Sequence, residues 1–331
     1  MQDTVGWGIL ATGKIAQSFA ADLALTPGAR LAAVGSRRPE SARAFADRHG
    51  AAAAYGSYDE LVADPAVDVV YVASPHALHL EHARLAFAAG KHVLCEKPLT
   101  LNVAEAEEMV ALAAAHDRFL MEAMWTACHP VVRRLVEHVR AGAFGTPRHV
   151  HAELGFRVDA GPEDRMLDPA LGAGALLDMG IYPLTFAHLL LGPAQELRAT
   201  ADLSAGGIDL DVALTGRYAG GALATMTASM TSWSSRAAVI ATDLGRIAVP
   251  QFHHPPYAVF TPGDGGPEVR VEGAEPVIGG GYAHEILEVG RCLRAGLRES
   301  PLVPHEQTLT LLRQMDDVRA QVGVTYAADG R

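Results

Sequence analysis

Between Val5 and Met121, short apolar runs alternate with segments whose apolar residues recur at helical spacing. This alternation limits the possible folds more than any other feature of the chain. Residues 5–11, 31–34, 67–73, 93–95 and 118–121 read as strands, and 15–25, 40–49, 78–89 and 102–116 as helices. The unbroken run VDVVYVA at 67–73 fits a strand covered on both faces. Strands that alternate with helices predict a doubly wound parallel α/β sheet. After Met124 the rhythm changes. Residues 131–140 and 175–191 are helix-like, 150–158 alternate loosely, and 196–271 hold successive strand-like runs with Gly-rich turns. Two helices, 282–295 and 305–320, close the chain. Strands without intervening helices favour antiparallel pairing. The expected organisation is an α/β domain over 1–124, then an α+β domain with a large, mostly antiparallel open sheet over 125–331. A length of 331 residues suits two domains of about 150 each.

Composition narrows the partners. Asp and Glu exceed Lys and Arg by 38 to 27, a net charge of -11, which disfavours nucleic acid or an anionic membrane. Cys95, Cys128 and Cys292 are odd in number and form no CxxC, so neither a disulfide framework nor a structural zinc site is expected. His76, His79 and His82 stand three apart, but with no matching acid or cysteine set they predict no metal. No basic leader segment and no run of about 18 apolar residues is expected, and a cytoplasmic location is the simplest reading.

At the first strand–helix junction, GWGILATGKIA, the positions of a G-x-G-x-x-G turn read Ala11, Gly13 and Ala16. Such turns let the backbone and a helix N-terminus approach a pyrophosphate in Rossmann-type folds. Only the middle glycine is kept, so a plain corner and a dinucleotide turn both fit. On the second reading Gly8, Thr12, Gly13, Lys14 and Ile15 bind the cofactor. After the second strand, where an acid usually meets the adenosine ribose, the chain has Ser36, Arg37 and Arg38. A hydroxyl and two guanidiniums suit a 2′-phosphate, so NADP is expected over NAD. Two solvated arginines at a helix start are the alternative.

The strand in HVLCEKPLTLN ends in Glu96, Lys97 and Pro98. Ligands of doubly wound sheets sit beyond the carboxyl ends of the strands, which puts the Lys97 ammonium near a nicotinamide. Proline holds the preceding residue extended and opens the way to a cis bond. Together with WGILATGKIA, LMEAMWT and GAGALLDMGIYP, this stretch resembles the Gfo/Idh/MocA oxidoreductases over nearly the whole chain. Within them it is most similar to the branch of dimeric dihydrodiol dehydrogenases and NADP-dependent D-xylose 1-dehydrogenases. The resemblance implies that Lys97 and Glu96 lie by the cofactor, that the Lys97–Pro98 bond is often cis, and that Ser74, Pro75, His76 and His79 meet the cofactor, with His79 beginning the next helix.

Asp178 and Tyr182 are four apart and share one face of a predicted helix. Many family members carry Asp and His there; tyrosine is similar to the branch in which it is read as general acid/base. A free tyrosine has a pKa of about 10, too high for a base near neutrality, and a nearby lysine ammonium favours the phenolate. Helix packing of Tyr182 is the plain alternative. Trp125 is a candidate wall for a cyclic substrate or an ordinary packing residue. Arg165 fits a substrate contact or a salt bridge, and Phe156 is a further substrate candidate. The related branch usually reads W-T-R-F where this chain has Ala127 and Cys128, which leaves the substrate open.

These residues predict an NADP-dependent oxidoreductase acting on a secondary alcohol, hemiacetal or ketone of a sugar or cyclic diol, with catalysis by Lys97, Tyr182 and Asp178. By resemblance, the second domain binds substrate and pairs with another copy, giving a homodimer or higher homo-oligomer. A non-catalytic NADP-binding regulator and an NAD-dependent glycosidase of the same superfamily are the alternatives. A regulator need not keep Lys97 and Tyr182, and the glycosidase needs no 2′-phosphate contacts.

Overall fold

The computed structural model describes residues 4–161 and 164–330. The chain forms two compact units. The first comprises residues 1–128 and 277–309, the second 129–276 and 310–331. The sequence pattern assigns everything after Met124 to the second domain; in the structure residues 277–309 return to the first.

In the first unit the elements follow one another as β1 (Val5–Leu10), α1 (Lys14–Leu23), β2 (Ala29–Gly35), α2 (Pro39–His49), β3 (Ala53–Tyr55), α3 (Tyr58–Ala63), β4 (Val69–Val72), α4 (His79–Ala88), β5 (His92–Cys95), α5 (Val103–Ala115), β6 (Leu120–Glu122) and the short α6 (Trp125–Cys128). The six strands are all parallel, in the order β3-β2-β1-β4-β5-β6. The order reverses direction between β1 and β4, the switch point at which such sheets open a crevice for ligands. Apolar runs explain the centre: β4 reads VVYV and every residue in it is buried. The edge strand β3 has only Ala53, Ala54 and Tyr55, too short a run to be expected from the sequence.

The second unit holds α7 (Pro130–Arg140), β7 (Pro147–Gly155), a π-helical turn (Leu176–Gly180), α8 (Ile181–Leu191), β8 (Glu196–Leu203), β9 (Asp209–Arg217), β10 (Leu223–Ser229), β11 (Ala238–Thr242), β12 (Gly245–Val249), β13 (Ala258–Pro262) and β14 (Val269–Val271). Eight strands pair in the order β14-β13-β12-β11-β7-β10-β9-β8, antiparallel except for β7 with β10. Along β9 and β10 buried residues alternate with accessible ones, so one face of the sheet is covered. The cover is α8 with the π-turn, which pack on β7, β9 and β10. The run Pro169–Leu191 is 23 residues long and apolar enough to cross a membrane by length and composition, contrary to the expectation that no run approaches this length. In the fold 83% of its apolar window is buried, as the cover of a large sheet requires.

The chain then returns to the first unit in α9 (Ala283–Arg294), followed by α10 (His305–Val322). Asp22 of α1 anchors this return. Its Oδ1 accepts from the Gly280 N–H and its Oδ2 from the Tyr282 N–H, each at 2.8 Å, so it caps the start of α9. Gly279 has φ +58, and a Cβ there would lie 2.1 Å from Asp22 Oδ1, so only glycine fits.

Candidate active site

The turn after β1 begins at Ala11, which has φ 83 and donates its N–H to Gly35 O at 3.0 Å. Gly13 is the N-cap of α1 with φ -68, extended ψ and no side-chain cap. No acidic side chain lies in the first turn of α1. A Cβ at Gly13 would meet nothing within 4 Å. Neither φ nor packing within the unit requires glycine at that point. Uncapped helix N–H groups at such an open turn suit a pyrophosphate. Thr12 and Ile15 are partly accessible and Lys14 is exposed beside this turn. Gly8 stands apart from it. It is buried inside β1, where a Cβ would lie 2.8 Å from Val67 Cγ1, so its smallness serves strand packing and not the cofactor turn. Ala16, at the third glycine position, is fully buried.

Beyond β2, Ser36 is 7% exposed and its Oγ accepts from the Arg38 N–H at 3.3 Å, while Arg37 and Arg38 are exposed. Arg37 and Tyr58 interact: burial raises the Tyr58 pKa, and the Arg37 guanidinium opposes that rise by charge and hydrogen bonding. Both residues line a cavity of about 660 Å³, together with Ser57, His82 and Arg84. His82 is buried. Its Nδ1 lies 2.8 Å from Ser74 Oγ and its ring meets the Tyr58 ring edge-on at 4.8 Å. Burial, then the Arg37 charge, push its pKa down to about 4.

His76 is buried in a 3-10 turn, with its ring 5.7 Å from that of His79. His79 departs from its expected cofactor contact. It is 0% exposed, with Nε2 2.9 Å from Ser74 O and Nδ1 3.0 Å from Pro98 O and 3.2 Å from Leu99 O. It therefore ties backbone to backbone.

The Lys97–Pro98 peptide is cis. Lys97 is half-buried at the carboxyl end of β5. Glu96 turns inward, against the expectation of a cofactor contact. Its Oε1 accepts from the Tyr71 hydroxyl and its Oε2 from the Lys97 N–H at 3.1 Å. Glu122, at the end of β6, accepts from the Leu99 N–H at 3.0 Å and from the Thr308 hydroxyl at 2.9 Å. Burial pushes its carboxyl up to about 7, against those two bonds and the Lys97 charge. The sequence singled out neither Tyr71 nor Glu122, since a polar tip on a buried strand carries no periodic signal. Trp125 is 8% exposed and stacks on Tyr282, centroids 4.5 Å apart and planes 5° from parallel, so one face of the indole is spent on packing.

In the second unit Asp178 lies on the π-turn and Tyr182 at the start of α8. Single π-turns inside helices concentrate at functional sites. Asp209 holds this one: its Oδ2 accepts from the Leu176 N–H at 2.6 Å, and burial pushes its carboxyl up to about 6. Asp178 is buried and pairs with Arg165 at 3.3 Å, where Arg165 is 47% exposed. The salt bridge foreseen for Arg165 is thus present, with its guanidinium still reaching solvent. Tyr182 is half-buried, and the ring of His253 meets it edge-on at 5.6 Å. The sequence assigned no role to His253, which reaches Tyr182 from the loop after β12. Phe156, just past β7, is partly accessible beneath the Arg236 guanidinium, 5.8 Å from its ring centre.

Residues 5–124 match the family described as oxidoreductase family, NAD-binding Rossmann fold, and residues 132–248 match the GFO/IDH/MocA C-terminal domain. The chain belongs to the Gfo/Idh/MocA oxidoreductases. Trans-1,2-dihydrobenzene-1,2-diol dehydrogenases are similar over almost their whole length. The mouse protein is 35% identical, covering 98% of this chain and 99% of the relative, and the zebrafish (Danio rerio) protein is 34% identical with the same coverage. Among solved structures, aldose-aldose oxidoreductase from Caulobacter crescentus, complexed with glycerol, superposes with a TM-score of 0.86 at 26% identity, covering 99% of this chain and 98% of that one. KijD10, a 3-ketoreductase from Actinomadura kijaniata in complex with NADP and TDP-benzene, gives the same TM-score and identity, covering 97% and 99%. This Gfo/Idh/MocA protein therefore has the two-sheet architecture of oxidoreductases that bind a nicotinamide cofactor.

Proposed function

We propose that this protein is an NADP-dependent oxidoreductase that interconverts a CH–OH group and a carbonyl on a sugar or related cyclic polyol. The observation that carries the reading is Lys97: a half-buried ammonium at the carboxyl end of β5, on a segment fixed by Tyr71, Glu96, Glu122 and His79. Buried polar groups spent on a single loop make sense where the position of its lysine matters. When bound, the nicotinamide supplies or accepts the hydride. The open N-terminus of α1 at Gly13 receives the pyrophosphate. Ser36, Arg37 and Arg38 receive the 2′-phosphate through charge-assisted hydrogen bonds. Tyr182 exchanges a proton with the substrate oxygen, Lys97 stabilises negative charge developing there, and Asp178 assists on the Tyr182 face. Arg165 and Phe156 contribute substrate contacts.

The similar dehydrogenases and reductases support the reaction class; substrate and coenzyme preference rest on this chain's own residues. A homo-oligomer is part of the proposal, supported by apolar residues left accessible on the second unit, among them Trp233 at 70% and Leu223 at 43%. The test is reduction of NADP and of NAD, followed by absorbance, against aldoses, anhydrosugars and cyclic trans-diols. Arg37→Ala with Arg38→Ala should weaken NADP far more than NAD, and equal losses would reject the 2′-phosphate assignment. Tyr182→Phe should abolish turnover while NADP still binds by calorimetry; an active variant would remove the proton-transfer role.

A further inference from the structure

The geometry points to His79 as a positioning residue that couples the two ligand-facing backbone segments of the first unit through the opposite edges of one imidazole ring. One segment is Ser74 to His76, after β4; the other is Lys97 to Leu99, after β5. On one edge Nε2 sits 2.9 Å from Ser74 O; on the other, Nδ1 sits 3.0 and 3.2 Å from Pro98 O and Leu99 O. The ring is 0% exposed, so it touches no ligand. All three oxygens are carbonyls, which only accept, and a neutral ring would turn a nitrogen lone pair toward one of the two edges. Burial outweighs the three carbonyl bonds and lowers the pKa to about 4, so the ring is neutral near pH 7. Whichever nitrogen carries the proton donates to its own segment, and the opposite edge of the fully buried ring packs against the other, so the fixed width of the ring sets their spacing. A helix-start histidine with both edges on other loops is not needed to complete α4, whose own backbone bonds do that. What the ring fixes is the spacing between the segment that carries Lys97 and the segment that carries Ser74.

The Lys97 segment has no freedom to compensate. Its N–H groups at Lys97 and Leu99 are held by Glu96 and Glu122, and its carbonyls at Pro98 and Leu99 face His79. Removing the ring releases the carbonyl side alone and lets the segment rotate about the two N–H anchors, carrying the ammonium with it. A misplacement of about 1 Å costs on the order of 100-fold in rate where catalysis rests on alignment.

This inference rests on the proposed role of Lys97, and its test separates the two. Amide side chains split the ring in half: Asn places a donor near the Nδ1 position and Gln near the Nε2 position. His79→Asn therefore keeps the bond to the Lys97 segment, and His79→Gln keeps the bond to Ser74. Three quantities are measured on the full-length protein. They are kcat, the Kd for NADPH by fluorescence, and the rate of Lys97 acetylation by acetic anhydride, read by mass spectrometry. His79→Ala should lower kcat by about 100-fold and change Lys97 acetylation several-fold. Asn should restore kcat and the acetylation rate but not the NADPH Kd, and Gln the reverse. Indistinguishable Asn and Gln variants, or an Ala variant with normal kcat and acetylation, would overturn the assignment. So would loss of folding in both amide variants, since His79 would then determine the fold and not a position. If the unaltered protein turns over no substrate, the proposed function fails, while the acetylation pattern still decides the role of His79.

Discussion

Glu122→Gln should change stability little at acid pH and raise it at neutral and alkaline pH. Glu122 is 3% exposed and its carboxyl is pushed from 4.5 to about 7, chiefly by burial. Each tenfold change in proton affinity corresponds to about 1.4 kcal/mol, so a rise of this size is worth roughly 3 kcal/mol. The sign follows from the direction. A folded pKa above the unfolded one means that the folded protein holds the proton more tightly. The group's stabilising contribution is therefore complete below pH 4.5, falls as pH rises, and is gone above about pH 7. Glutamine does not titrate. Its oxygen can accept from the Leu99 N–H and its amide can donate to Thr308 Oγ1, which keeps both contacts of the carboxyl.

The variant should thus match the unaltered protein near pH 4 and exceed it by about 3 kcal/mol at pH 8. Other groups titrate in or near this window. Asp209 rises to about 6 and adds a slope of the same sign, while His82 and His92, lowered to about 4, add the opposite one. The difference between the two proteins at each pH removes these common contributions. The assay is urea unfolding by tryptophan fluorescence in a Trp233→Phe background. The remaining Trp7 and Trp125 both lie in the first unit with Glu122, so the signal reports that unit. A difference that stays flat from pH 4 to 8 would show that burial does not hold the Glu122 proton, and the reasoning would fail.

Ala11→Gly should stabilise the protein by about 0.5–1 kcal/mol in thermal melts, because φ 83 strains an L-residue by more than glycine loses in chain entropy; a lower melting temperature would contradict this. Gly13→Val should cost no more than about 1 kcal/mol of stability, since its Cβ meets nothing within 4 Å, yet lower NADPH affinity at least about 10-fold by calorimetry. Gly174→Ala should destabilise by about 2–3 kcal/mol in urea unfolding, because φ is +148 and the new Cβ would fall 2.4 Å from Asp209 Oδ1, displacing the group that holds the π-turn.

What could be read from the sequence follows from range. Local patterns carried the strands and helices around VDVVYVA and the strand–helix corner at Gly13. Each depends on neighbours within a few residues. The edge strand β3 was missed because three residues establish no period. The π-turn under Asp178 was missed because its apolar residues also satisfy an α-helical period. The return of 277–309 to the first unit is fixed by Asp22, more than 250 positions away from the N–H groups it caps, and nothing local announces such a bond. His79, Glu96 and Glu122 are the instructive cases. Residue type marked His79 and Glu96 as polar and near a strand end and left Glu122 unmarked, but whether a polar tip faces a ligand or the backbone behind it is settled by tertiary contacts alone.

Those contacts converge on three residues. The backbone at Lys97, Pro98 and Leu99 is met by Glu96, His79 and Glu122, all three buried, with Tyr71 and Thr308 behind the two carboxyls. Apolar packing would stabilise this region at least as well, because burying ionisable groups carries a desolvation cost that hydrogen bonds only offset. Apolar contacts are non-directional, however, and would tolerate small rotations of the segment. Directional bonds to N–H and C=O groups on one short stretch define a single backbone position. Removing one partner leaves another buried group unsatisfied, so the network resists gradual loosening. Three buried polar groups of the first unit thus fix one backbone position, that of the segment presenting Lys97.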